Sequence, residues 1–145
     1  MADDKALALR GKMSVVVVTP KREVVSADVD EITAFGTLGE FGVLPGHEPY
    51  LTLLESGVLI LHVGTAKQVW AHGPGVLEVG NGGQVEILVE MVAISGEVDQ
   101  TAVTTELQTV ENDLKALDNA ESAEWKTLAA RRDWALAQLE AQARG

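Results

Sequence analysis

Three histidines, His47, His62 and His72, are the side chains in this 145-residue sequence best suited to proton transfer or metal ligation near neutral pH. They are far apart in the chain, and only His62 and His72 are spaced to face each other across a β-hairpin. With the carboxylate of Glu78 they would supply three ligands to a divalent metal, the set that a small cupin-like enzyme on a β-sandwich would use. His47 invites a different reading: it stands at the tight end of a glycine-rich stretch, where an imidazole can hydrogen-bond loop carbonyls and hold their shape. Histidines isolated on strands more often serve structure than chemistry, and the common catalytic constellations are missing. His47-Glu48 is followed by Pro49, Tyr50 and Leu51, so no His-Glu-x-x-His is present, and there is no phosphate loop, dinucleotide fingerprint or Gly-x-Ser-x-Gly elbow. The sequence has no cysteine, which removes thiolate ligands, cysteine nucleophiles and disulfides together.

Charge narrows the partners. A formal net charge of −11 repels both nucleic acid and anionic lipid surfaces. No window approaches the roughly 18 continuous apolar residues that a membrane-spanning helix needs, so no direct membrane insertion is expected. The first residues, led by Asp3 and Asp4, lack an apolar core behind an early positive charge. They read as a flexible extension over residues 1–12 and not as a signal peptide.

The residues with functional potential must be held by something, and the densest signal lies between Gly36 and Pro49. Gly36, Gly39, Gly42 and Gly46 alternate there with Pro45 and Pro49. Glycine allows positive φ and close backbone approach, and each proline fixes φ and disfavours helix just before it. A contorted loop without regular structure is expected, with Phe41, Val43 and Leu44 seating it on a core, His47 bracing its end and Glu40 exposed in its middle.

Around this loop, residues 13–97 read as a β domain. Ser14–Thr19 is a β-branched run ended by Pro20, and Val25–Thr33 alternates on either side of a turn. Tyr50–Leu54, Gly57–Val63, Gln68–His72, Gly75–Val79, Gln84–Val89 and Met91–Ser95 continue the pattern. Many short strands at close spacing, with no helical crossovers, predict an antiparallel sandwich. Val85, Ile87 and Val89 share one face, but Leu88 joins Glu86 on the other, so the outer face is not purely polar.

Beyond Gly96 glycine and proline disappear until Gly145, and a helical domain is expected over 98–145. Asp99 is suited to cap a helix whose stripe is Val103, Leu107, Val110, Leu114 and Leu117. Asp118–Ser122 interrupts it, and a second helix runs from about Ala123 to Ala143. Trp125, Leu128, Leu136 and Leu139 form the stripe expected to meet the first helix in an antiparallel hairpin. Ala130, Trp134, Ala137 and Ala141 form a second set, which either lies on the sandwich or offers a separate contact surface.

Gly39-Glu-Phe-Gly-Val-Leu-Pro-Gly-His47, preceded by Val29-Asp-Glu-Ile-Thr33 and followed by Pro49 and Gly57-Val-Leu59, resembles the epsilon subunit of bacterial and chloroplast F-type ATP synthase, the counterpart of mitochondrial delta. Val17-Val-Thr-Pro20, Gly75–Val79 and Gly96-Glu-Val-Asp99 also fall where that family has them, so the resemblance spans about residues 13 to 140. It implies a β-sandwich of about ten strands followed by a helix-turn-helix. It also implies a non-catalytic rotor subunit of the central stalk, peripheral on the cytoplasmic face of the bacterial inner membrane. The expected partners are the gamma subunit and the c-subunit ring. When the hairpin extends along gamma, the catalytic alpha and beta subunits join them, and ATP hydrolysis is inhibited. The loop carrying Glu40 corresponds to the ring-facing loop. Partner-contact residues are then Glu40, Phe41 and His47 on the loop and Arg131, Arg132 and Trp134 on the second helix. Some members bind ATP through an acid at the start of the first helix and an arginine three positions on. Asp99 matches the acid, but Ala102 occupies the arginine's place, and no cofactor is expected.

Overall fold

Ten strands and two helices follow one another along the chain in the computed structural model, which describes residues 12–145. The strands are β1 (Met13–Thr19), β2 (Arg22–Val29), β3 (Glu31–Gly36), β4 (Gly39–Val43), β5 (Tyr50–Leu54), β6 (Gly57–Val63), β7 (Ala66–His72), β8 (Gly75–Val79), β9 (Val85–Val89) and β10 (Val92–Ile94). A 3-10 turn at Ser95–Glu97 leads to α1 (Gln100–Lys115) and α2 (Ala123–Arg144). The extension expected over 1–12 lies outside the described residues apart from Lys12. The Lys12 ammonium stands 3.3 Å from Asp30 Oδ1. Asp30 also accepts the Gly64 N–H at 2.5 Å, and that bond, helped by Lys12, holds its carboxyl below the ordinary value.

The strands form one continuous sheet, ordered β10-β7-β6-β3-β5-β8-β9-β1-β2, with β4 paired to β3. It closes over itself, so that Ile32, Leu59 and Leu61 from β3 and β6 meet Val15, Val17, Leu77, Val79, Val85 and Ile87 from β1, β8 and β9 in one core. Two residues per turn of the pleat explain the selection: each buried residue is separated from the next by one that faces outward. The expected sandwich is present, with one departure. β1 and β9 run parallel, Val15 opposite Val85 and Val17 opposite Ile87, while the other pairings are antiparallel. Two strands so distant in sequence need no tight turn between them, so their direction is free of the hairpin constraint.

The glycine-rich stretch is more regular than expected. Gly39–Val43 is a strand hydrogen-bonded to β3, with Gly36 opposite Gly39 and Thr37-Leu38 as a two-residue turn. Gly39 takes φ 114°, a conformation that suits hairpin turns and that a side chain would strain. Val43 is fully buried and Phe41 half-buried, but Leu44, expected to help seat the segment, is 55% exposed. It lies beyond the last paired residue, at the start of a turn in which Pro45 and Gly46 (φ 86°) have type II chemistry and the His47 N–H donates to the Leu44 carbonyl at 3.0 Å.

Both helix starts are capped, the first by Asp99 as expected. Asp99 accepts the Ala102 N–H and Ser122 accepts the Trp125 N–H, each at 3.1 Å. The α1 stripe is inward, with Val110 fully buried. In α2 the alanine set docks on the sandwich: Ala137 and Ala141 pack with Val58, Ile60, Val69 and Ala71, and Phe35 and Trp134 flank them. This second cluster explains the almost uninterrupted apolar run of β6, whose Leu59 and Leu61 face the sandwich core while Val58 and Ile60 face the helix. Small alanines let helix and sheet approach closely. Leu136, expected on the interhelical stripe, instead lines a cleft of about 400 Å³ with Phe35, Val58 and Ala137 and is 45% exposed. Ala130, expected with the docking set, is exposed.

Candidate functional site

The side chains most open to a partner lie on two surfaces and a helical arm. The first surface is the tip of the β3–β4 hairpin. Leu38 is fully exposed there, and Glu40 projects into solvent directly opposite Phe35. Behind the tip the Phe41 ring meets Tyr50 edge-on, with centroids 6.1 Å apart, and the His47 ring lies 5.7 Å from that of Tyr50. His47 Nδ1 donates to the Glu48 carbonyl at 2.6 Å, so the imidazole does brace the loop. Tyr50 was not singled out from the sequence; as the first residue of a strand after Pro49 it carried no motif, yet it joins Phe41 to His47.

The second surface is the outward face of β5, β8, β9 and β1. Leu53 stands opposite Val76, Val76 opposite Leu88, and Leu88 beside Val18, so four apolar residues form one row across four strands. Leu53 is 68% exposed, Leu88 46%, and Leu51, next on the same face of β5, 66%. Near the row's β1 end, Val18, Pro20, Pro74 and Leu88 line a groove of about 390 Å³. Helix α2 covers β6 and β7 and leaves this face open. An exposed contiguous apolar patch on a folded protein marks a contact surface. The mixed outer face of Gln84–Val89 was its only trace in the sequence.

Arg131, Arg132 and Trp134 of α2 are engaged in the docked arm. The Arg131 guanidinium pairs with Glu106 of α1, its Nε donating at 3.0 Å. Arg132 donates to Asp133 at 3.1 Å and lies 5.8 Å from the centroid of the Trp125 ring. Trp134 is half-buried: it packs against the helix–sheet cluster and shares a cavity of about 190 Å³ with Ala102, Val103, Glu106 and Arg131. The six expected contact residues therefore fall into two groups, Glu40, Phe41 and His47 at the hairpin tip and Arg131, Arg132 and Trp134 in the docked arm.

The metal site expected of an enzyme does not assemble. His62 pairs with Lys67 and His72 with Gly57, at opposite ends of the β6–β7 pair. The five residue steps from Lys67 to His72 correspond to about 17 Å along a strand. His62 Nε2 is 3.0 Å from Thr33 Oγ1. His72 is fully buried, its Nδ1 donates to the Gly73 carbonyl at 2.9 Å, and its Nε2 has no partner among the described residues. Burial pushes its pKa down, only partly offset by the Gly73 hydrogen bond. Glu78 is exposed on β8, opposite Leu51. Among the described residues no three His, Asp or Glu side chains gather as a metal set.

The sequence profile of the beta-sandwich domain of the ATP synthase Delta/Epsilon chain matches residues 12–96. The ATP synthase epsilon chain of Geotalea uraniireducens is 44% identical over 106 residues, covering 73% of this chain and 76% of that protein. That of Geotalea daltonii is 39% identical over 129 residues, covering 89% and 92%. A chain in the Euglena gracilis mitochondrial ATP synthase assembly of OSCP, F1 and c-ring superposes with a TM-score of 0.78 at 22% identity, over 90% of this chain and 81% of that one, and so shares the fold. The family match over the sandwich, together with relatives whose similarity runs on through the helical hairpin, makes this chain a member of the ATP synthase epsilon chain family.

Proposed function

We propose that the chain is a non-catalytic rotor subunit of a bacterial ATP synthase, held peripherally at the cytoplasmic face of the inner membrane. The apolar row of Leu53, Val76, Leu88 and Val18 carries the reading. Burying such a face gains roughly 25 cal/mol per Å² of apolar surface, and a matching apolar face on the gamma subunit would supply the burial. Glu40 and Leu38, on a rigid hairpin tip, meet the c-subunit ring. A charge held by paired strands makes such a contact with little ordering cost.

The helical arm is the regulatory part. Its attachment to the sandwich rests on small side chains, chiefly Ala137 and Ala141, and docked and released states separated by a few kcal/mol can be exchanged by a partner that binds one of them better. On release the half-buried Trp134 is uncovered and, together with Arg131 and Arg132, whose partners lie within the hairpin itself, is available to the alpha and beta subunits, where the arm inhibits ATP hydrolysis. The experiment is to assemble the synthase from its own source with the full chain and with a chain ending at Asp99. Both should support proton-driven ATP synthesis, and the shortened chain should raise hydrolysis. Equal hydrolysis would remove the inhibitory role, and failure of the full chain to assemble would overturn the subunit reading.

A further inference from the structure

The turn joining β8 to β9 contains Asn81 followed by Gly82, and its surroundings favour a chemical change that the other two asparagines resist. Asn81 and Gly82 are both exposed. The turn's backbone bonds use their neighbours instead: the Gly83 N–H donates to the Gly80 carbonyl at 3.0 Å, and the Gly80 N–H to the Gln84 carbonyl at 2.8 Å. Among the described residues nothing bonds the Asn81 carboxamide or the Gly82 N–H. Gly82 also has no Cβ to obstruct approach to its nitrogen.

We propose that Asn81 is a site of spontaneous deamidation, with water and hydroxide as the only co-reactants. Hydroxide removes the Gly82 N–H proton, and the nitrogen attacks Asn81 Cγ. A C–N bond forms, the bond to the carboxamide nitrogen breaks, and ammonia leaves with a proton taken back from water. The resulting five-membered succinimide is opened by water at either carbonyl, giving aspartate or isoaspartate at position 81. The net change is addition of one water and loss of one ammonia, without redox chemistry.

The structure also explains why the other asparagines are spared. Asn112 lies inside α1, where the next residue, Asp113, bears a side chain and its amide is held in the helical hydrogen-bond ladder. Asn119 Oδ1 accepts the Glu121 N–H at 2.9 Å, which fixes the carboxamide, and Ala120 follows it. The consequence of the reaction is local. Gly82, Gly83 and Gln84 share a cleft of about 370 Å³ with Lys12, Pro45 and Gly46, so the residues that follow position 81 border the Leu44–His47 turn. Isoaspartate adds one methylene to the backbone between the Gly80 carbonyl and the Gly83 N–H, lengthening the turn that their hydrogen bond closes.

The test is to incubate the full chain in mildly alkaline buffer and follow its peptides by mass spectrometry, with isoaspartyl methyltransferase labelling to separate the two products. The Asn81 peptide should convert at least about tenfold faster than those of Asn112 and Asn119, a barrier difference of about 1.4 kcal/mol. Gly82→Ala should slow it by a similar factor, and Asn81→Gln should abolish the fast phase. Asn81 remaining intact, three asparagines converting at one rate, or a Gly82→Ala chain reacting as fast as the parent would each overturn the proposal.

Discussion

The guanidinium of Arg144 lies 5.0 Å from the centroid of the Phe35 ring, and Phe35 is the residue directly across from Glu40 in the β3–β4 pair. The last turn of α2 is thus clasped to the strand that presents the hairpin tip. A cation over a ring at a partly exposed site contributes about 0.5–1 kcal/mol. Arg144→Ala should therefore loosen the docked arm by that amount while sparing the sandwich. Amide hydrogen exchange is the readout: faster exchange confined to the end of α2 is expected, and unchanged exchange would show that the clasp contributes nothing.

Burial of His72 gives the stability a specific pH dependence. Its folded pKa is depressed below the ordinary value of 6.5 because the charged form would be desolvated, so in this window the unfolded chain binds more protons. Stability should be flat with respect to this residue above about pH 6.5, fall as pH drops below it, and level off once the folded pKa is passed. Denaturant titrations of the parent and His72→Gln between pH 5 and 7.5 would check this. The variant should lose the fall that begins near 6.5, and retention of the same fall would assign it to other groups.

Substitution of Glu40 should separate folding from coupling. It is exposed and makes no ion pair among the described residues, so Glu40→Gln should change stability by no more than about 0.5 kcal/mol. In reconstituted vesicles the substitution should lower proton-driven ATP synthesis relative to hydrolysis. A variant that is less stable yet normally coupled would return the tip to a purely structural role.

The sandwich, the two helices and the cap of the first were legible in the sequence because they depend on local signals: β-branched runs, a heptad-like stripe, and Asp99 at a helix start. The β3–β4 hairpin was not, since its glycines suggested a contorted loop without regular structure, whereas Gly39 serves the turn with a positive φ and Gly36 and Gly42 reflect close packing. A Cβ on Gly36 would lie 3.3 Å from the Phe41 ring, and one on Gly42 3.4 Å from the Glu31 carboxylate. The parallel β1–β9 pairing and the position of Leu136 depend on contacts between distant segments, which periodicity does not encode. The same holds for the contact surface. Leu53, Val76, Leu88 and Val18 come from four separate strands, and only the sheet register aligns them.

That alignment is the centre of the account, and binding to the gamma subunit from the same source tests it most directly. Leu53→Lys combined with Leu88→Lys changes two side chains that are already 68% and 46% exposed, so the chain should fold with nearly unchanged stability. The parent should co-purify with gamma and the double variant should not. Equal binding by the folded double variant would contradict the assignment of this face to the central stalk.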